Sequence, residues 1–306
     1  MMRWLLSSLG YLLYTLVVLV CLLWWKFPAD TVKTWLEHQL NIETPRYVWN
    51  IETLKPVLPG RIHVSGITIT PVREKMPLIR IGQLDLVPDL VRLLGRSKLI
   101  RYRMRLFGGT AEGSLVSGTG FRQFDCRGKF TGLQVQQMEA LRKSLQRKVG
   151  GIADGSFSWH GSRRDAEKQT IDGKIIFRDG ILPLRKPVLG LATLTYSTIE
   201  TPFTYRESRW IIEKGKFVSP KMTATFSGRV EPADSIANFR LQFTGRLTPR
   251  SELFTGGGNN KMAGMIRSFL KNGSLPFTLS GTAAEPGIHF ANGLSEAMNR
   301  LQGNRR

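Results

Sequence analysis

Side chains with obvious chemical reach are sparse in this 306-residue chain. The four histidines, His38, His63, His160 and His289, stand far apart, and none belongs to a ligand pair of the H-E-x-x-H kind. His160 in "SWHG" has the right type for a general base, but no nucleophile is signalled beside it. "TGGGNNK" at 255–261 is glycine-rich, yet it lacks the phosphate-loop spacing and the Ser or Thr that follows the lysine, so it reads as a flexible loop. Cys21 and Cys126 are the only cysteines; Cys21 lies in an apolar run, so the rest of the chain has no internal disulfide and no thiol cluster for a metal. The reading is therefore not an enzyme, with no catalytic residue, metal or cofactor expected. One pattern does suggest binding chemistry. In "LIRYRMRLFGG" at 99–109, Arg101, Arg103 and Arg105 alternate with Ile100, Tyr102, Met104 and Leu106. Guanidinium groups in a row suit lipid phosphates or an acidic partner; they equally suit a solvated outer face that discourages edge pairing.

The element that would hold these arginines is a strand, and most of the chain beyond residue 55 has the same period of two. "RIHVSGITIT" places Ile62 and Val64, then Ile67 and Ile69; "LIRIGQLDLV" places Ile79 and Ile81, then Leu84 and Leu86. In both, the apolar phase slips by one residue near a glycine, Gly66 or Gly82, as at a bulge or bend. Matching positions lie 17 residues apart, a spacing shared by Phe226 and Phe243 in "FSGRV" and "FTGRL". Such a period suits one strand plus one turn, repeated as a meander. In the two Phe motifs the glycine shares the apolar side and leaves a gap, so Gly228 and Gly245 are expected to be where the sheet curls. Further strands are read in "GSFSWHG", "TIDGKIIF", "TLTYSTIE", "RWIIEKGKF", "KMTATFSGRV", "NFRLQFTGRL", "LPFTLSGTA" and "GIHFA". Two helical inserts interrupt them, at 132–151 with a stripe of Val135, Met138, Leu141 and Leu145, and at 260–273.

The fold class this predicts is mainly β: a single N-terminal transmembrane helix, then an elongated, twisted, mostly antiparallel sheet, shaped as a groove or taco, with two short helical inserts. Some dozen strands about 4.8 Å apart make a sheet that must twist, curl or split. Its apolar face either closes on itself as a packed core or stays open as a groove for acyl chains. The side chains expected to line such a groove are Ile62, Val64, Ile79, Ile81, Tyr102, Met104, Phe226 and Phe243.

The N-terminus supplies the anchor. Trp4 to Trp25 is 22 residues without a charge, with Trp4, Trp24 and Trp25 at its ends. As a helix it is about 33 Å long, enough for a bilayer core, and tryptophan favours the interface. A cleaved signal peptide is the rival; the run is long for one and "WWKFPAD" offers no A-x-A-like site. Then "PADTVKTWLEHQL" puts Val32, Trp35, Leu36 and Leu40 on one helical face, which either lies on the bilayer or packs on the following domain. The chain divides into residues 1–3, a 4–26 anchor, a 28–42 amphipathic helix, a 47–292 β-rich domain and a basic 293–306 tail. With 44 Lys and Arg against 23 Asp and Glu, the net charge is +21. That draws the protein to anionic surfaces, while the lack of any nucleic-acid module and the anchor argue against nucleic acid as partner. Flanking charges alone leave the orientation open.

Taken in order, the span ending "WWKFPAD", "LPGRIHVSGITITP", "PLIRIGQLDLVPDLVRLLGRSKLIRYRMRLFGGTAEGSL" and "LPFTLSGTAAEPGIHF" resemble the type II secretion protein N family (GspN), and more distantly AsmA-like envelope proteins. The likeness covers most of the chain and carries no catalytic signature. It implies a single-pass protein of the bacterial inner membrane with its β domain in the periplasm. It also implies an accessory role beside other inner-membrane components of a type II secretion apparatus, or, in the AsmA-like case, binding or transfer of inner-membrane phospholipid.

Overall fold

The structure, a computed structural model, describes residues 11, 14, 15, 18, 26, 28–57, 60–72, 77–93, 95, 97–118, 123–162, 165–254, 264 and 266–290. Most of the expected anchor and all of the basic tail lie outside this set; of the anchor, Tyr11, Tyr14, Thr15 and Val18 are helical and Lys26 lies in a turn. Among the described residues no helix is long and apolar enough to cross a membrane. The protein is mainly β, and the stretch read as one β domain divides into two compact units, Met1–Pro88 and Asp89–Arg306.

The first unit holds helix α1 (Ala29–Glu43) and an antiparallel meander of β1 (Tyr47–Val57), β2 (Arg61–Pro71) and β3 (Ile79–Pro88). The 17-residue spacing resolves into register. Ile51 faces Ile67, which faces Ile81; Leu54 faces Val64, which faces Leu84. All three strands slip phase at the same level, where Gly66 takes φ +66 and no register pair forms. Both halves of each strand thereby deliver apolar residues to one core of Ile51, Leu54, Val64 and Ile67. The slip is thus a matched bend, which preserves pairing where a one-strand bulge would break it.

Helix α1 covers this core. Val32 and Leu36 pack on it, whereas Trp35, expected on the same face, is 62% exposed. The departure has a polar cause: α1 also lies along the free edge of β1. Glu37 Oε1 accepts from the Ile51 N–H at 2.7 Å, Asn41 Oδ1 from the Trp49 N–H at 2.8 Å, and Lys33 Nζ donates to the Glu52 carbonyl at 3.1 Å. Turning those side chains to the strand edge rotates Trp35 outward. An otherwise open β edge is thereby satisfied.

In the second unit a short helix α2 (Leu90–Leu93) precedes β4 (Lys98–Leu106), β5 (Gly109–Ser117), β6 (Gln123–Gln134), α3 (Glu139–Leu145), β7 (Gly150–Ser162), β8 (Asp165–Val188), β9 (Leu191–Arg206), β10 (Arg209–Val218), β11 (Met222–Glu231), β12 (Arg240–Pro249), β13 (Leu275–Thr282) and β14 (Pro286–Phe290). Each strand pairs antiparallel with its predecessor in this order, and the strand order does not close into a barrel. Residues 182–195 of β8 and β9 run beyond the last partners on β7 and β10, forming a two-stranded arm. The arm folds back. Leu189 is 3% exposed in a cluster with Met222, Ala224, Leu247, Ile266, Leu275 and Phe290, and Arg185 pairs with Glu285. Arg147, just past α3, donates to the carbonyls of Pro183 and Ala284; its burial, and then the Arg185 charge, lower its pKa. Of the first insert's stripe, Val135, Met138 and Leu141 pack with Leu133 and Ala153, whereas Leu145 is not part of that cluster; in the second insert Ile266 is buried in the arm cluster.

Ile51→Ala should cost about 2–4 kcal/mol of stability, the range for truncating a fully buried aliphatic side chain. Trp35→Ala should cost under about 0.5 kcal/mol, as at an open surface site. Urea unfolding of both variants checks the assignment of the inner and outer faces of α1.

Candidate functional site

The strand β4 sorts its side chains as its alternation demands. Arg101, Arg103 and Arg105 are exposed; Tyr102 and Met104 are half-buried on the opposite face. That second face continues strand by strand through the unit. Tyr102 faces Gly113, which faces Gly128, which faces Phe157, then Gly173, then Phe203. Past a bulge in β10 the row resumes with Ile212, Gly228, Phe243, Leu279 and Ile288. None of these is fully buried. In the adjacent row Met104 faces Ala111, Ala111 faces Phe130 and Phe130 faces Gly155; farther along, Gly215 faces Phe226, Phe226 faces Gly245 and Gly245 faces Phe277.

Aromatic rings and glycines therefore alternate across strands, and the rings lie on the glycines. A Cβ added at Gly215 would have the Phe226 ring as its nearest neighbour; one at Gly128 would meet the Tyr102 hydroxyl and the Phe157 ring; Gly155 is covered by Phe130, Gly173 by Phe203 and Gly245 by Phe277. Gly228 and Gly245, expected as points of curl, do not have positive φ and are roofed by Phe243 and Phe277. The gap left by the glycine is filled by the neighbour's ring. Rings also meet edge-on: Phe226 and Phe243 at 5.8 Å, Phe203 and Trp210 at 5.3 Å, Phe124 and Trp159 at 4.5 Å, within the favoured range for aromatic pairs. Tyr102 stretches over β5 to place its hydroxyl 3.7 Å from Cys126 Sγ on β6. Burial, then Cys126, push its phenol well above the ordinary range, and burial raises the Cys126 thiol.

Of the eight expected lining residues, Tyr102, Met104, Phe226 and Phe243 share this face of the second unit. In the first unit Val64 is 2% exposed inside the core, and Ile62 and Ile81 pack against it beneath α1; Ile79 faces Ile69 at the edge of that core. Sequence reading missed Phe157 and Phe203, which carry the centre of the face. For Phe157 the signal was the G-x-F spacing inside a strand, Gly155–Phe157, which mirrors Phe226–Gly228; Phe203 has no such spacing.

The polar face is partly self-neutralised. Glu112 receives Lys129 Nζ at 2.8 Å and Arg103 Nε at 3.2 Å, and Lys129 first, then Arg103, hold its carboxyl below the usual range. Arg103 is therefore committed within the sheet. Arg101 faces Ser114, which faces Arg127, and neither Arg101, Arg105 nor Arg127 forms a salt bridge among the described residues. His63 pairs with Asp85, and His160 with Asp125, each across one strand boundary. Neither pair has a described nucleophile in contact, and no group of three His, Cys, Asp or Glu among the described residues could hold a metal ion.

The chain matches no protein-family model, no curated protein and no solved structure. What the arrangement can do chemically follows from its surfaces: an apolar aromatic face on one side of the sheet, and a cationic face on the other.

Gly215→Ala should destabilise the protein by about 1–3 kcal/mol, the cost of inserting a methyl where nothing yields freely. In a Phe226→Ala background the same substitution should cost at least about 0.5 kcal/mol less, the coupling expected of residues in contact. A double-mutant cycle by urea unfolding measures the ring–glycine coupling directly.

Proposed function

We propose that this is a non-catalytic, membrane-tethered protein whose second unit binds lipid acyl chains on its aromatic face. One observation carries the reading: the row from Tyr102 through Phe157 to Phe203 is apolar and half-exposed, and none of its members is fully buried. Elsewhere in the unit comparable faces are covered, by α3 and by the folded arm. A ring-on-glycine surface is smooth and continuous, which suits an extended hydrocarbon chain better than a compact polar ligand. The uncharged run at 4–25 keeps the protein at a membrane, and the net charge of +21 favours anionic lipid. In this reading the protein sits in the bacterial inner membrane with both units in the periplasm, an orientation drawn from the AsmA-like resemblance.

The resemblance to the secretion protein N family supports a second reading, an accessory of a type II secretion apparatus working through contacts with other inner-membrane components. The stretches "LFGGTAEG" and "LSGTAAEPGIHF", which carry that resemblance, each form an antiparallel hairpin, β4–β5 and β13–β14. A binding face for lipid is compatible with that role.

Native mass spectrometry of the full chain released from membranes in mild detergent should show bound phospholipid. Phe157→Asp and Phe203→Asp should each lower occupancy about tenfold or more, the cost of losing one ring's apolar contact, with the β signal in circular dichroism retained. Unchanged occupancy in folded variants would sink the lipid reading. For the secretion role, affinity purification should recover secretion inner-membrane components and deletion should impair export; normal export with no such partners counts against it.

A further inference from the structure

A separate site lies on the cationic face of the second unit, at the end nearest the 271–274 turn. There β10, β11 and β12 form a depression of ≈ 500 Å³ whose lining includes Lys216, Arg246, Arg250, Thr225, Thr248 and Asn272. The register explains the convergence: Lys216 faces Thr225, which faces Arg246, so a small hydroxyl residue separates two long cations across three strands. In the next row Thr223 faces Thr248, keeping the floor low. The rim is the two-residue turn between Lys271 and Ser274, where Asn272 and Gly273 both have positive φ, 48° and 73°, the geometry of a tight primed hairpin turn.

The charge there is only partly compensated internally: the Glu200 carboxyl is lowered first by Lys174 and last by Lys216, and that of Glu252 first by hydrogen bonds from its own backbone and Ser251 and last by Arg250. Lys216, Arg246 and Arg250 form no salt bridge among the described residues, and the lining contains no carboxylate. Two carboxylates stand nearby. Glu200 faces Lys216 in register but is held by Lys174 at 2.8 Å; Glu252, close to Arg250, takes a hydrogen bond from Ser251 at 3.1 Å. Contrast Arg103 and Lys129 on the same face, which share Glu112. Three cations around a concave floor rich in hydroxyls, with an amide at the rim, match a phosphate: the guanidiniums supply paired charged donors, the ammonium a point charge, and the Thr hydroxyls and the Asn272 amide neutral donors.

We propose that this depression binds a phosphate group, from either an anionic lipid headgroup or a soluble phosphate compound. It lies on the face opposite the aromatic row, so it acts independently of acyl-chain binding.

Calorimetric titration of the full chain in neutral detergent tests this with three probes: inorganic pyrophosphate, dihexanoylphosphatidic acid and dihexanoylphosphatidylcholine. The expected result is saturable binding of pyrophosphate, of the phosphatidic acid, or of both. Arg246→Gln and Lys216→Gln should each weaken it about tenfold, the loss of one charge-assisted contact. Arg127→Gln, an exposed cation elsewhere on the same face, should change it less than about twofold. Binding of pyrophosphate alone identifies a soluble phosphate compound as the occupant; binding of phosphatidic acid alone identifies a headgroup. Phe157→Asp should leave all of this binding intact, which separates it from the acyl-chain reading. No saturable binding of either phosphate probe overturns the proposal. So does equal weakening by Arg127→Gln, or phosphatidylcholine binding as tightly as phosphatidic acid.

Discussion

Strands in a sheet lie about 4.8 Å apart, and an aromatic ring laid flat needs more room than that. The second unit meets this constraint by setting a glycine opposite the ring. Phe157 lies between Gly128 and Gly173, and Phe226 between Gly215 and Gly245. The ring then spreads over its neighbour's backbone and shields those hydrogen bonds from water. Much of one face is covered by the sheet's own side chains, without a second layer. A flat, apolar, half-exposed surface is the direct result, and the lipid reading rests on it.

Other parts of the structure manage what a long open sheet leaves unsatisfied. In the first unit α1 gives Glu37 and Asn41 to the free N–H groups of β1 while Val32 and Leu36 cover the core. In the second unit the β8–β9 arm returns onto β11–β14, with Leu189 as its apolar contact and Arg185 and Arg147 fixing it at its polar side. Short β14 begins with a proline, which blunts the end of the strand order. The two faces of the second unit thus differ in kind. One is apolar and covered in places; the other is cationic, neutralised around Glu112 and left charged around Arg246.

Much of this was legible in the residues. Period-two alternation located most strands, and the apolar stripe of Val135, Met138 and Leu141 located the first packed insert. The strands β1, β5 and β6 were not read. In β5 the apolar side is written with the small Ala111 and Gly113 beside Leu115, so much of its hydrophobic cover comes from Tyr102 on another strand and its own amphipathic signature is weak. β6 does alternate, Phe124, Cys126 and Phe130 against Asp125, Arg127 and Lys129, and that signal was passed over. Trp35 was misplaced because helical periodicity reports where apolar residues cluster, and the edge of β1 imposed a polar demand that periodicity does not contain.

The sequence alone determined the strand period, the repeat of 17, the bracketed uncharged run at 4–25 and the strong positive charge, because each depends on spacing and composition along one chain. Only the tertiary structure decided which residue stands opposite which. That pairing set Gly228 and Gly245 beneath aromatic rings, placed Val64 in a core, and gathered Lys216, Arg246 and Arg250 around one hollow. Cross-strand register depends on the contacts of several strands at once, and a one-residue change in it would exchange the two faces.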